Sequence, residues 1–140
     1  MPMVLGQGLI PRAVPLKVSE RDVNCLAENI YHEARGESVK GQIAVALVTI
    51  NRMRHDTHFQ SSICGVVYEK SQFSWTLNKP RKIKDSPAWR QTKALAQSVL
   101  DGYNHIPNFN ALYYHADYVK PRWSRTKQII AQIGSHIFYA

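Results

Sequence analysis

Between Gly41 and Arg54 the chain carries Ile43, Ala44, Val45, Ala46, Leu47, Val48 and Ile50. At helical spacing these leave no continuous polar stripe, so the helix they form is apolar nearly all round and must be enclosed by other elements. Its alanines let a neighbouring helix come close, and Asn51 and Arg52 are the first polar groups at its end. A chain of 140 residues has the mass for one core of this kind. With 44% hydrophobic and 20% charged residues, the composition is that of a globular domain, not a disordered chain.

The enclosing elements can be read on either side. Ser19-Glu20-Arg21-Asp22 looks like a capping box. Val23, Leu26, Ala27, Ile30, Tyr31 and Ala34 follow on one face, His32 points to the opposite one, and Gly36 stops the helix. Ser61 or Ser62 caps a short helix through Val67, and Glu69 to Trp75 is a polar, aromatic loop without a period. Asn78 to Lys84 reads as an exposed basic loop. Ser86-Pro87 opens a further helix with Ala88, Trp89, Leu95, Ala96, Val99 and Leu100 as its apolar positions, ended by Gly102. Ala111 to His115 reads as a strand. Gln128 to Ile133, the turn Gly134-Ser135, and His136 to Tyr139 read as a hairpin. The expected fold is α+β, a helical lobe followed by a small antiparallel β-sheet. Residues 1–18 show no period and are expected to be an arm laid over a single domain of residues 19–140.

The charge is one-sided, with 18 Lys and Arg against 10 Asp and Glu, or +8. A basic surface favours a polyanion, whether nucleic acid, anionic lipid or an acidic cell-wall polymer. No apolar run is long enough to span a membrane. The first fifteen residues are apolar but broken by Gly6, Gly8 and three prolines, with no basic residue ahead, a poor secretory signal. The expectation is a protein made in a cytoplasm that reaches any external target by another route. Cys25 and Cys64 form no Cys-x-x-Cys motif; they are either two free thiols or a bridge worth about 3–4 kcal/mol by loop entropy.

Several chemistries can be set aside. His32-Glu33 begins like a zinc-protease helix, but position 36 is glycine, so the second ligand on that face is missing. There is no phosphate-cradling loop and no Gly-x-Ser-x-Gly elbow. His105, His115 and His136 fall late in the chain and could meet, although single histidines on strands are more often packed. Carboxylate chemistry remains. Glu33 lies at the border of the apolar stripe, where partial desolvation raises a carboxyl pKa and suits it to protonate a leaving oxygen, the main requirement for cutting a glycosidic bond. Its plainer reading is a helix-end glutamate paired with Arg35 or Arg52. Glu37 follows the helix break, so its direction cannot be read; it is a solvated loop charge or a second carboxylate. Gln72, Ser74 and Trp75 with Tyr113 and Tyr114 suit a sugar groove, aromatic faces covering pyranose rings, unless the aromatics are core. Two basic clusters, Lys79 to Lys84 and Lys120 to Lys127, are solvated faces or attract anions; the second, containing Trp123, would also fit single-stranded nucleic acid. A general anionic attraction is the reading adopted.

Taken together, several segments resemble one family. Ile30-Tyr31-His32-Glu33-Ala34-Arg35-Gly36-Glu37, Gly41 to Ala46, Asn51-Arg52, Val66-Val67-Tyr68 and Gln72-Phe73-Ser74-Trp75 are similar to the spore-cortex-lytic (SleB-like) cell-wall hydrolases. Tyr113-Tyr114-His115-Ala116, Pro121-Arg122-Trp123 and Ile133 to Tyr139 continue the match in the same order, over roughly residues 22–139. The resemblance implies a lysozyme-like catalytic domain that cuts peptidoglycan between N-acetylmuramic acid and N-acetylglucosamine. It also implies that the first glutamate of Glu-Ala-Arg-Gly-Glu, here Glu33, is catalytic. Spore enzymes of this family usually carry an export signal and often a wall-binding domain. A bare, basic chain looks more like a bacteriophage endolysin, acting on the wall after a partner pore releases it.

The expected reaction uses one carboxylate, Glu33, as acid and then base, giving a 1,6-anhydro product as in a lytic transglycosylase. If water is activated instead, the enzyme is a muramidase and needs a second carboxylate, with Glu37 first and Glu69, Asp85 and Asp117 behind it. Gln72, Ser74, Trp75, Tyr113, Tyr114 and His115 are the expected substrate contacts. No cofactor or metal is required. The expected partner is the peptidoglycan glycan strand, with electrostatic contact to anionic wall or outer-membrane components, no specific nucleic acid, and a monomeric protein. A zinc amidase and a nucleic-acid-binding protein are the rivals from other classes.

Overall fold

The computed structural model describes residues 16–55, 59–69 and 86–140. Helix α1 spans Glu20–Ala34, α2 Val39–Arg54, α3 Ile63–Val67 and α4 Pro87–Leu100. They are followed by β1 (Tyr113–Ala116), a 3-10 helix (Arg122–Arg125), β2 (Ile129–Ile133) and β3 (His136–Tyr139).

Local chemistry sets the helix ends. The Ser19 hydroxyl accepts from the Asp22 amide at 3.2 Å, and the Asp22 carboxylate accepts from the Ser19 amide at 3.4 Å, completing the capping box. Gly36, at φ +95°, supplies the left-handed residue that lets the chain leave α1 and turn into α2. Ser38, Ser62 and Ser86 cap α2, α3 and α4. Helix α2 starts two residues before Gly41, because Ser38 caps it and the first helical residue, Val39, is exposed and adds nothing to the apolar period.

Helix α2 is the central element. Ala44, Val45, Ala46 and Val48 are fully buried. They share one core with Leu26, Ala27 and Ile30 of α1, Ile63 and Val67 of α3, Ala96 and Leu100 of α4, and Phe138 of β3. Cys25 and Cys64 are bridged, tying α1 to α3, and a Lys93–Glu20 ion pair links α4 to α1. Leu16 and Val18 pack on the same core, and the Leu16 amide donates to the Leu100 carbonyl at 2.9 Å.

The sheet has the order β1-β3-β2, all antiparallel, so β1 is an edge strand. Tyr114 pairs with Phe138 and His115 with Ile137. Side chains alternate along β1. Tyr114 shares a face with Phe138, which is fully buried in the helical core, while Tyr113 and His115 turn to the other face and meet Trp123 of the 3-10 helix. The strand starts two residues later than its sequence pattern suggests. The Asn51 amide of α2 takes the carbonyls of Phe109 and Ala111, each at 3.0 Å, and Arg52 Nε takes that of Leu112 at 2.6 Å. Those carbonyls are therefore spent on α2 and not on a strand partner.

Candidate active site

Glu33 sits in the last turn of α1, where the helix face borders the core. Opposite it, the Tyr114 hydroxyl donates to Glu33 Oε1 at 3.0 Å. Burial pushes the Glu33 carboxyl above the usual carboxylate range, and the Tyr114 hydrogen bond and the nearby Arg52 charge only partly oppose this. Tyr114 is raised well above the ordinary phenol value by burial and by the Glu33 charge, so it remains a proton donor. Asn29 lies four residues before Glu33, on the same helical face, is fully buried and sits against the same hydroxyl.

Arg52 is 5% exposed at the end of α2. Its guanidinium lies 5.2 Å from the Phe59 ring centroid and 5.7 Å from that of Tyr113. It reaches Glu33 through its field, while Arg35, the other expected partner of Glu33, bonds the Tyr31 hydroxyl and lies over that ring.

Glu37 is held elsewhere. Its Oε1 accepts from the Ser135 amide at 3.0 Å and its Oε2 from the Ser135 hydroxyl at 2.9 Å. These bonds hold its carboxyl below the usual value. Neither Glu33 nor Glu37 is among the charges that shift the other. The carboxylate thus fastens the turn after α1 to the β2–β3 hairpin.

Tyr113, Tyr114 and His115 line a pocket of about 490 Å³ with Arg52, Trp123 and Lys127. The ring nitrogens of His115 are engaged within the sheet. Nδ1 lies 2.7 Å from the Ala116 carbonyl, which can only accept, so Nδ1 carries the proton and Nε2 accepts from the Tyr139 hydroxyl at 2.7 Å. His115 therefore offers the pocket a ring wall. His136 packs edge-on against Tyr114, and burial pushes its pKa down. His105 lines a separate pocket with Asn51 and His55. Among the described residues no group of three His, Cys, Asp or Glu is arranged to hold a metal. Gln72, Ser74 and Trp75, with Asp85, lie outside the described residues.

The sequence points to Glu33 and Tyr114 but not to Asn29, and it offers Arg52 as an ion-pair partner of Glu33 and as part of a family-like segment. The signal for Asn29 was a polar residue at i−4 from Glu33 within an otherwise apolar face. Trp123 and Lys127 belong in the sequence to the basic cluster read as a general attraction for anions, and only the fold carries that cluster to β1.

The chain belongs to the cell wall hydrolase family, which matches residues 36–139, a span that opens three residues after Glu33. Among curated proteins it is 37% identical over 128 residues to the spore cortex-lytic enzyme of Oceanobacillus iheyensis and 33% identical over 135 residues to that of Bacillus subtilis. These alignments cover 89% and 94% of this chain but only 44% and 42% of the relatives, so the chain spans less than half their length. Two solved structures share the fold at a TM-score of 0.71 each. One is the catalytic domain of the germination-specific lytic transglycosylase SleB from Bacillus anthracis, 31% identical, with 91% of this chain and all of that chain covered. The other is the catalytic domain of Bacillus cereus SleB, 30% identical, with 91% and 95% covered. The expected lysozyme-like α+β architecture is the one found. No helix among the described residues is long and apolar enough to cross a membrane.

Proposed function

We propose that this chain is a peptidoglycan glycosidase that cuts the N-acetylmuramic acid–N-acetylglucosamine bond as a lytic transglycosylase, with residues 19–140 as its catalytic unit. The observation that carries the reading is the Glu33 carboxyl, raised above the usual carboxylate range by burial and anchored through Oε1 by Tyr114. The anchoring leaves Oε2 as the oxygen that delivers the proton.

The steps balance with one carboxyl group. Glu33 gives its proton to the glycosidic oxygen as the bond to the muramoyl C1 breaks, and the sugar becomes oxocarbenium-like. The carboxylate left behind is met by the Tyr114 hydroxyl and the Arg52 charge. It then takes the proton of the muramoyl 6-hydroxyl as that oxygen closes on C1. The product is a 1,6-anhydro sugar, and Glu33 is protonated again. Glu37 supports this single-carboxylate route because Ser135 occupies both of its oxygens. Gln72, Ser74 and Trp75 remain part of the proposed substrate surface.

The test is digestion of purified sacculi by the wild-type protein and by Glu33→Gln, with mass spectrometry of the soluble muropeptides. Anhydro-muramoyl ends from the wild type and none from the variant are expected. Reducing muramoyl ends would overturn the transglycosylase step, and undiminished cutting by the variant would overturn the role of Glu33.

The proposal extends to an endolysin setting, in which the protein acts on the wall after release from a host cytoplasm. Its support is the net charge of +8 and the Cys25–Cys64 bridge, which suits an oxidising compartment. Expression in the cytoplasm of a Gram-negative host should give lysis only after the inner membrane is permeabilised. Lysis without permeabilisation would count against it.

A further inference from the structure

The pocket between β1 and the 3-10 helix has a chemistry that glycosidic cleavage does not require. Its wall is aromatic, with the rings of Tyr113 and Trp123 5.5 Å apart at 42°. Its rim is cationic, with the Lys127 ammonium 4.0 Å from the Tyr113 ring centroid. Among the described residues no carboxylate pairs with Lys127. The buried Arg52 adds a second positive charge to the lining. From Lys120 to Lys127 the chain carries Lys120, Arg122, Arg125 and Lys127 with no acid among them, and the first three are exposed. A solvated basic face would not need an aromatic ring folded beneath one of its lysines.

The pocket also adjoins the chemistry. Arg52 joins the two, because it lines the pocket and its charge acts on Glu33. A sugar seated in the pocket therefore meets the same cation whose field reaches the Glu33 carboxyl. Of the two alternating sugars of peptidoglycan, only the muramoyl residue bears a carboxyl-bearing substituent, its lactyl ether.

Resting on the glycosidase reading, we propose that this pocket is a muramoyl subsite in which Lys127, with Arg52 behind it, recognises a carboxylate carried by the sugar. The aromatic wall covers the ring's apolar face, and the ammonium takes the carboxylate in a charge-assisted contact. That carboxylate is the free lactyl group of a peptide-less strand or belongs to the stem peptide. The shared consequence is a preference for acidic glycan over neutral glycan.

The test is calorimetric binding to the full chain carrying Glu33→Gln. Four probes are used: an N-acetylglucosamine hexamer, a peptide-free muramoyl–glucosaminyl hexamer with free lactyl carboxylates, the same hexamer with those carboxyls converted to methylamides, and a stem-peptide-bearing hexamer. The acidic hexamer should bind about tenfold tighter than its methylamide, as expected for one hydrogen bond to a charged group. Added Lys127→Met should erase that ratio, and Lys127→Glu should invert it. A stem-bearing hexamer that binds like the methylamide restricts the contact to a free lactyl carboxylate, one that binds like the free acid shows that a stem carboxylate takes its place, and one that alone binds tightly assigns the contact to the stem. Equal binding of the acid, methylamide and stem-bearing hexamers, or a preference that survives Lys127→Met, overturns the subsite and leaves the glycosidase reading standing. Absence of binding to every probe, with no wall cutting by the wild type, would overturn the glycosidase reading itself and this subsite with it.

Discussion

Gly134→Ala tests how the hairpin is held to the turn after α1. Gly134 stands at φ +55° in the β2–β3 turn, and a Cβ built there lies 2.2 Å from Glu37 Oε1. Two costs follow. A non-glycine residue in the left-handed region costs about 1–2 kcal/mol. Glu37 is a flexible side chain and can swing clear of the methyl group, but it then gives up its two bonds to Ser135. At a partly exposed site these are worth about 0.5–1.5 kcal/mol each. Gly134→Ala should therefore destabilise by about 2–5 kcal/mol and Glu37→Ala by about 1–3 kcal/mol. The two penalties overlap in the lost clasp. In the Glu37→Ala background, Gly134→Ala should cost only the backbone term, leaving a coupling of about 1–3 kcal/mol. Urea unfolding followed by tryptophan fluorescence at pH 7 would measure the cycle. Additivity to within about 0.5 kcal/mol would refute the clasp. Glu37→Gln should keep most of the wall-cutting activity, because an amide oxygen still accepts from the Ser135 amide. A Glu37 serving as a catalytic base would lose that activity on the same change.

Other expectations follow from the same geometry. Glu33→Gln should stabilise the protein at pH 7. A buried carboxyl with a raised folded pKa costs stability once pH rises above the unfolded value near 4.5, so the gain should fade as pH falls below that value, and an equal gain at pH 3 would contradict it. Tyr114→Phe removes a group that favours the ionised form of Glu33, so the basic limb of the pH–rate profile should move up while kcat falls about tenfold for the loss of a bond to a charged group. An unmoved limb would detach Tyr114 from the acid. Replacing Cys25 and Cys64 together by serine opens a loop of sequence separation 39 and should cost about 3–4 kcal/mol in the chain-entropy estimate, read as a lower urea midpoint than that of the oxidised protein.

What could be read from the sequence was what local rules decide. Ser19 and Asp22 cap α1 through their own backbone amides, Gly36 ends the helix because of its φ, and Gly134-Ser135 marks a two-residue hairpin turn; each of these signals is local in the chain. The apolar girth of α2 made it central for the same reason. The pairing of Glu33 with Tyr114, 81 residues apart, could not be read. Periodicity says which face of an element is buried, not what it is buried against. Glu37 shows the same limit, because its partner Ser135 lies 98 residues away and the break at Gly36 hides its direction. The late start of β1 has a related cause: Asn51 and Arg52 take the carbonyls of Ala111 and Leu112, which a strand pattern would assign to a neighbouring strand.

In the proposed reaction, the surroundings of Glu33 divide its two roles between opposing forces. Desolvation is the largest influence on the carboxyl and favours the protonated form, the state in which that reaction has it meet the substrate. Tyr114 and Arg52 both oppose it, and neither gains much while Glu33 is neutral. Once the proton has left, the same hydroxyl and guanidinium face an anion in a site poor in water, where a fixed donor and a fixed charge act most strongly. Their contribution is therefore concentrated after proton transfer, which is where differential stabilisation raises a rate. The clasp gives this arrangement its rigidity. Glu37 follows Glu33 by four residues and holds Ser135, Ser135 leads directly into β3, and β3 sets Phe138 opposite Tyr114. Helix α1, which carries Glu33, is thus tied through Glu37 and the central strand β3 to the strand that carries Tyr114.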